Sequence, residues 1–290
     1  MDHGPRQRTA IPRLGDSPHV FSEAELADYL IASGVRVVEV RGNLWRNSYA
    51  PSPISRYAWT PLNRWVPLTQ DVVGYPTRSA LAYRARAAES VPTRFSFAVF
   101  RDLSTYGEHS MNRHRARDTR KALQRYEYRR LDSPDLLLAQ GWQVMRDAFA
   151  FRGMRPPVDQ VTYWRRARAV FEAKPPVVWA ALSDGQLAGY VTSYATGSEA
   201  TLETAYISPS FRDNRVGLGL YWLSVTGWAR ASGVRNVWAG GTMPGGIDDF
   251  KTSIGAVLER IPVHSGMRGA IRLGYRVLKP DAQSLKDLHA

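Results

Sequence analysis

The stretch AYISPSFRDNRVGLGLYWLSVTGWARASG, residues 205–233, decides the reading of this chain. An apolar run stops at Ile207-Ser208-Pro209, and a short polar loop with Arg212, Asn214 and Arg215 follows. Val216-Gly217-Leu218-Gly219 then opens an apolar helix that the pattern carries from Gly217 to Ser232. Strand, glycine loop and helix start, in that order, make a holder for phosphate. Glycines let backbone N–H groups approach a ligand, the helix N-terminus adds partial positive charge, and two arginines stand ready for the same anion. The dinucleotide fingerprint Gly-x-Gly-x-x-Gly fails, because Trp222 takes the third glycine position.

Outward from the loop, the pattern alternates with period two. Val177–Leu182, Leu187–Tyr194 and Ala200–Ile207 read as three strands joined by turns at Asp184-Gly185 and Gly197. Before them come two helices. One starts at Asp132-Ser133-Pro134 and runs to about Phe151, ending before Gly153 and the Pro156-Pro157 pair; the other spans Val158–Ala173. After the loop helix, Asn236–Ala239 reads as a strand. The first half opens with a Ser22-x-x-Glu25 capping box and a helix that stops at Gly34, then a strand over Val35–Val40. Ser79–Ala88 reads as a helix, Arg94–Phe100 as a strand, and Thr105–Tyr126 as a long polar helix. Arg41–Thr77, rich in Pro and Trp, has no assignable pattern.

The 290 residues exceed one typical core of about 100–150 residues, so two packed domains are expected. Residues 1–20 read as a flexible leader, 21–130 as an N-terminal domain closing on a basic helix, 131–280 as a C-terminal domain and 281–290 as a tail. No apolar run reaches the roughly 18–20 residues that cross a bilayer, and the start lacks a signal-peptide core, so a cytoplasmic protein is expected. With no cysteine and six scattered histidines, no metal site is expected. The formal charge of +13 favours a polyanionic partner or reflects an arginine-rich composition. Seven arginines and one lysine face two acids over residues 113–130, the densest positive stretch. The tryptophans read as core residues rather than base-stacking platforms.

At the loop the chain resembles the GNAT superfamily of N-acyltransferases, whose pyrophosphate loop is commonly Gln/Arg-x-x-Gly-x-Gly/Ala after a strand ending in a hydrophobic-x-Pro. Asn214 departs from that pattern, with Arg212 or Arg215 to compensate. Gly245-Gly246-Ile247-Asp248-Asp249-Phe250-Lys251-Thr252-Ser253-Ile254-Gly255 is similar to the Phe-Lys-x-x-x-Gly segment of Fem-type aminoacyltransferases. Asn112, Arg113, Arg117, Arg120 and Lys121 are likewise similar to the basic helix after the first domain of such proteins. The resemblance implies an α/β (α+β) fold of tandem GNAT-like domains, the C-terminal one a mixed, mostly antiparallel sheet flanked by helices.

It also implies a site. Acyl-coenzyme A would lie along the splayed strands, held by Ile207, Arg212, Asn214, Arg215, Val216, Gly217, Leu218 and Gly219, with the carbonyl polarised by a backbone N–H near Ile207. Glu203, the only acid in Thr201–Ile207, would take the amine's proton, or it is a solvent-facing strand residue. Lys251 would neutralise the oxyanion or hold an anionic substrate beside Phe250, or it is a surface partner of Asp248 and Asp249. Tyr206, Tyr221 and Tyr275 are candidate acids for the leaving thiolate. Arg113, Arg117 and Arg120 would bind phosphates or form a solvated face. Three functions stand open: transfer from acyl-coenzyme A to a small-molecule or peptide amine; transfer from aminoacyl-tRNA to a peptidoglycan precursor or peptide-like metabolite, with tRNA as partner; and a non-catalytic protein binding nucleic acid or acidic lipid.

Overall fold

The computed structural model describes residues 17–47, 57–172, 176–241 and 246–268, with backbone alone at Asp213 and Asn214. Most of the expected leader, the whole tail, Gly245 and Tyr275 lie outside the described residues.

The chain runs α1 (Glu23–Ala32), β1 (Val37–Val40), β2 (Asn43–Asn47), β3 (Ala58–Pro61), β4 (Ala82–Arg86), β5 (Arg94–Phe100), α2 (Arg113–Arg125) and β6 (Glu127–Arg130). It continues through α3 (Trp142–Ala150), α4 (Gln160–Glu172), β7 (Val177–Ser183), β8 (Gln186–Thr196), β9 (Glu199–Ile207), α5 (Val216–Trp228), β10 (Asn236–Gly241), α6 (Ile247–Ser253) and β11 (Val257–Met267). The strands form one mixed sheet in the order β1-β2-β3-β4-β11-β5-β10-β9-β8-β7-β6, in which only β3–β4 and β9–β10 pair in parallel. This is the expected α/β class, a mostly antiparallel sheet flanked by helices. β11 joins the two ends of the sheet. Its first half, Val257–Pro262, pairs with β5, and its second, Val263–Met267, with β4.

Two layers cover the β7–β9 region. On one face lies α5, apolar around most of its circumference and buried except at Trp222 and Thr226, packed between the strands and α2. On the other lie α1, α3 and α4, whose apolar stripes meet Val178, Ala180, Tyr190 and Tyr194. The Ser22–Glu25 capping box is present, each side chain bonded to the other residue's backbone. The helix begun after Pro134 contains one π turn, Leu137–Gly141, before α3. Gly141 has no Cβ to obstruct the Tyr163 hydroxyl, which would otherwise collide with it.

Three expectations need correction. Ser79–Ala88 is no helix, because Ala82–Arg86 alternates its side chains across β4 and buries Ala85 and Ala87. Sheet pairing with β11 overrides the helix preference of Ala and Arg. Thr105–Tyr126 is no single helix either. Two short 3-10 turns, Leu103–Thr105 and Glu108–Ser110, precede α2, which starts only where the Asn112 side chain accepts from the Arg115 N–H. The loop helix ends at Trp228, four residues before Ser232.

The unassigned stretch 41–77 turns out to matter. Besides β2 and β3 it carries Trp65, whose ring stacks on Trp238 at 4.0 Å between centroids and 7° between planes. The Trp65 Nε1–H also donates to Thr201 Oγ1 at 2.8 Å. Thr201 and Trp238 are the last paired residues of β9 and β10, so one indole clamps the final rung of that ladder. Trp65→Ala is expected to cost about 3–5 kcal/mol, read as a lower denaturant midpoint. Trp65→Phe should cost less, keeping the stack but leaving the Thr201 hydroxyl without its partner, at about 1 kcal/mol. An Ala variant within about 1 kcal/mol of wild type would show that the clamp lies elsewhere.

Candidate active site

The site grows from a local failure of pairing. β9 pairs with β8 along its whole length, but among the described residues it pairs with β10 only over Glu199–Thr201. Leu202–Ile207 therefore have no strand partner on the β10 side among the described residues, a parting of the two strands that makes a wedge. A β-bulge sits at its inner end, where Thr204 faces Thr192 and Leu202 faces Ser193, leaving Glu203 as the extra residue. Ser208 N–H donates to Ala188 O at 2.9 Å, so alternation turns the N–H groups of Ala205 and Ile207 away from β8 and into the wedge. The strand then turns through Pro209–Asn214 and enters α5 at Arg215, a non-glycine residue in the left-handed region at φ 65°. Arg215 donates to the buried Asp118 carboxylate of α2 at 2.7 Å, which holds that turn in place.

The two glycines of the loop are packing residues. A Cβ on Gly217 would come within 2.7 Å of Ile207 Cδ1 and 3.9 Å of the Phe250 ring. One on Gly219 would strike Tyr128, whose hydroxyl donates to Val216 O at 3.2 Å. Val216 and Leu218 are buried. The first N–H groups of α5 have no partner one turn back, as at any helix start, although Leu218 N–H reaches Arg215 O at 2.9 Å. Arg212 lies over the Phe151 ring at 4.3 Å. Of Asn214 only the backbone is described.

Glu203 is not a solvent-facing residue. Its carboxylate is 8% exposed, accepts from the Tyr29 hydroxyl at 3.0 Å and stands 3.6 Å from the Arg46 guanidinium. Burial, then the neighbouring Arg46 charge, lowers the pKa of the adjacent Arg64. Tyr29 on α1 and Arg46 on β2 could not be found from sequence, since 174 residues separate Tyr29 from Glu203. Glu203 also faces a cavity of about 260 Å³ enclosed by α1, the π turn, α3, α4 and the strands β8 and β9. Tyr206 borders that cavity, and burial pushes its pKa up to about 12. Burial likewise pushes Tyr221, on the opposite face, up to about 12, so both hydroxyls keep their protons at neutral pH.

Lys251 is not a surface residue either. It is 3% exposed, burial lowers its pKa, and its Nζ reaches Gly241 O at 3.5 Å, at the end of β10. Its neighbour Phe250 meets Tyr221 edge-on at 5.2 Å. The structure thus brings Ile207, Gly217, Phe250 and Tyr221 together at the mouth of the wedge. Glu203 belongs to the α1 side of the sheet and Phe250 to the α5 side.

Arg113, His114, Arg117 and Arg120 line a separate concavity of about 490 Å³ on α2. Arg120 shares its Nε–H between both oxygens of Glu108 at 3.1 Å. Among the described residues, no group of three His, Asp or Glu is placed to hold a metal, and no helix is long and apolar enough to cross a membrane.

Residues 140–246, from the π turn to the start of α6, match the acetyltransferase (GNAT) family model. No curated protein matches the sequence. Among solved structures the chain is similar to FemX, at a TM-score of 0.57 and 12% identity over 88% of this chain and 93% of that one. It is also similar to L-PGS from Bacillus licheniformis, at a TM-score of 0.56 and 11% identity over 90% of this chain and 97% of that one. The wedge, its bulge and the α5 start all fall inside the matched residues: residues 140–246 form a domain of the acetyltransferase (GNAT) family, and the chain shares its fold with FemX and L-PGS.

Proposed function

We propose that this protein is an N-acyltransferase that seats acyl-coenzyme A in the wedge between β9 and β10 and passes the acyl group to an amine. The observation that carries this reading is the parting of the two strands after Thr201 and Trp238, directly beside the start of α5. The N–H groups of Ala205 and Ile207 would polarise the acyl carbonyl, and the N-terminus of α5 would face the donor's pyrophosphate. The amine nitrogen attacks the carbonyl carbon, its proton goes to Glu203, and the carbon–sulfur bond breaks. The departing thiolate takes a proton from Tyr206 or Tyr221. Lys251, beside the wedge, offsets the negative charge that develops on the oxygen. On this reading residues 21–130 and 131–280 are the tandem domains and the protein works in the cytoplasm, where its donor is made.

A second reading keeps the chemistry and changes the donor to aminoacyl-tRNA. Two observations favour it: the Arg215 side chain is engaged by Asp118, and Arg113, Arg117 and Arg120 face one concavity outside the wedge. FemX and L-PGS, the similar structures, have the same fold over most of the chain. Calorimetric titration with acetyl-coenzyme A separates the two. Binding is expected, with the same affinity in an Arg113→Glu, Arg117→Glu, Arg120→Glu variant. No heat with acetyl-coenzyme A, together with binding of charged tRNA that weakens about tenfold between 50 and 200 mM salt and is lost in that variant, would establish the second reading instead. Binding of RNA with no transfer from either donor would mark a binding protein.

Lys251→Met tests the site from another side. A buried ammonium whose pKa is lowered by burial costs stability, so the isosteric Met should raise it by about 1–2 kcal/mol while cutting transfer at least about tenfold. The sign of the pH dependence follows from the lowered pKa. The unfolded chain binds the extra proton, so wild-type stability recovers as pH rises through the lowered value towards the ordinary 10.5, and the gap to the Met variant closes. Equal activity in the two proteins would remove Lys251 from the mechanism.

A further inference from the structure

Three large apolar side chains stand out of the surface where α3 ends and α4 begins. Phe151 is 61% exposed, Met154 43% and Val161 64%, and all three belong to the connection 151–159 or to the first turn of α4. Apolar side chains scattered singly over a surface need no explanation, whereas three on one connection do. The connection is fastened at both ends. Phe151 N–H donates to Asp147 O at 2.9 Å and Met154 N–H to Phe149 O at 3.0 Å, with Gly153 in the left-handed region at φ 67° between them. At the other end the Asp159 carboxylate accepts from Thr162 N–H at 2.7 Å and caps α4. Arginines stand among the apolar residues. Arg152 and Arg155 are exposed on the same connection, and the Arg212 guanidinium lies over the Phe151 ring.

We propose that this connection docks the protein on an anionic lipid bilayer. Phe151, Met154 and Val161 enter the boundary between headgroups and acyl chains, and Arg152, Arg155 and Arg212 meet the lipid phosphates. Shape and charge both point to this occupant. The apolar side chains protrude from a connection between two helix ends, and none of them lines the cavity behind β9. A protein partner would have to supply the concavity, and a handful of residues falls short of the roughly 20–30 a side of a stable interface. A bilayer admits a projecting apolar wedge, while long arginine stems keep their charged heads at the level of the phosphates. The formal charge of +13 adds attraction to an anionic surface. Docking does not depend on acyl transfer, since neither the wedge nor Lys251 takes part. It has a consequence for the cavity facing Glu203, which Phe149, Pro157 and Val158 line from this same helix end: docking brings that cavity to the membrane side of the protein.

The test is sedimentation of the full chain with vesicles of phosphatidylglycerol and phosphatidylcholine in equal parts, beside vesicles of phosphatidylcholine alone. Binding to the mixed vesicles is expected, and at least about tenfold weaker binding without phosphatidylglycerol, since each arginine near an anionic surface contributes roughly fivefold. A Phe151→Ser, Met154→Ser, Val161→Ser variant should bind the mixed vesicles at least about tenfold more weakly than wild type. All three positions are exposed, so these changes leave the core intact. The chain has no cysteine, so Met154→Cys and Arg117→Cys each accept a single environment-sensitive fluorophore. The mixed vesicles should shift the emission to the blue at position 154 and leave it unchanged at position 117, on the basic face of α2. Absence of binding to the mixed vesicles, binding unaltered by the three serines, or a shift at 117 with none at 154 overturns the proposal. Self-association that the serines abolish, with no vesicle binding, would overturn it too and assign the connection to a second copy of the chain.

Discussion

Past Thr201, the six residues Leu202–Ile207 of β9 have no pairing with β10 among the described residues, and that is the constraint on which the rest of the molecule turns. A strand inside a sheet has strong hydrogen-bonding groups on both edges, and leaving those of one edge unmade costs free energy unless water or a ligand takes them. The parting is held open from several sides. The bulge at Glu203 twists β9 away from its neighbour, Trp65 clamps the last rung, and β10 is drawn by its own pairing to β5, where its register shifts between Trp238 and Gly241. On the proposed reading, a sheet with this much structure keeping two strands apart offers its open edge to an extended donor.

The early part of the chain is built into that slot. Tyr29 from α1 and Arg46 from β2 both reach the Glu203 carboxylate, and Trp65 reaches Thr201. β5, from the first half, lies between β10 and β11. Each contact crosses more than a hundred residues of sequence, so the wedge exists only once both halves have folded together. The buried carboxylate and guanidinium would each be costly alone and support each other here, which makes the ion pair a specifier of how α1, β2 and β9 meet.

The C-terminal half was legible in the sequence to a degree that the N-terminal half was not, for physical reasons. β7, β8 and β9 alternate cleanly and are joined by turns at Asp184-Gly185 and Gly197, whose positive φ values require the residues found there. The glycine loop announced a helix start. What the loop does not announce is that its glycines also lie against packed side chains, Ile207 at one and Tyr128 at the other. β4 was missed because Ala and Arg favour a helix until a partner strand supplies the pairing, and that partner, β11, lies far away in sequence. Glu203 and Lys251 stood out as residues but not as environments. Only the fold shows that both are buried, and nothing local in the sequence points to Tyr29 or Arg46.

Burial also separates groups that serve the fold from those that it merely tolerates. Asp118 is buried and its partner Arg215 closes the turn into α5; Tyr128 is buried and its hydroxyl fastens β6 to the first residue of α5. Each polar group there repays its desolvation by joining two elements. Lys251 is of another kind. Its backbone carbonyl already receives the N–H groups of Ile254 and Ala256, which terminate α6 whatever the side chain is. Among the described residues its ammonium reaches Gly241 O at 3.5 Å, at the far end of hydrogen-bond range, on the strand that borders the wedge. Stability would be served as well by an apolar side chain of the same length. On the proposed reading, a charge that the fold buries at a cost beside the wedge has its explanation in the donor seated there.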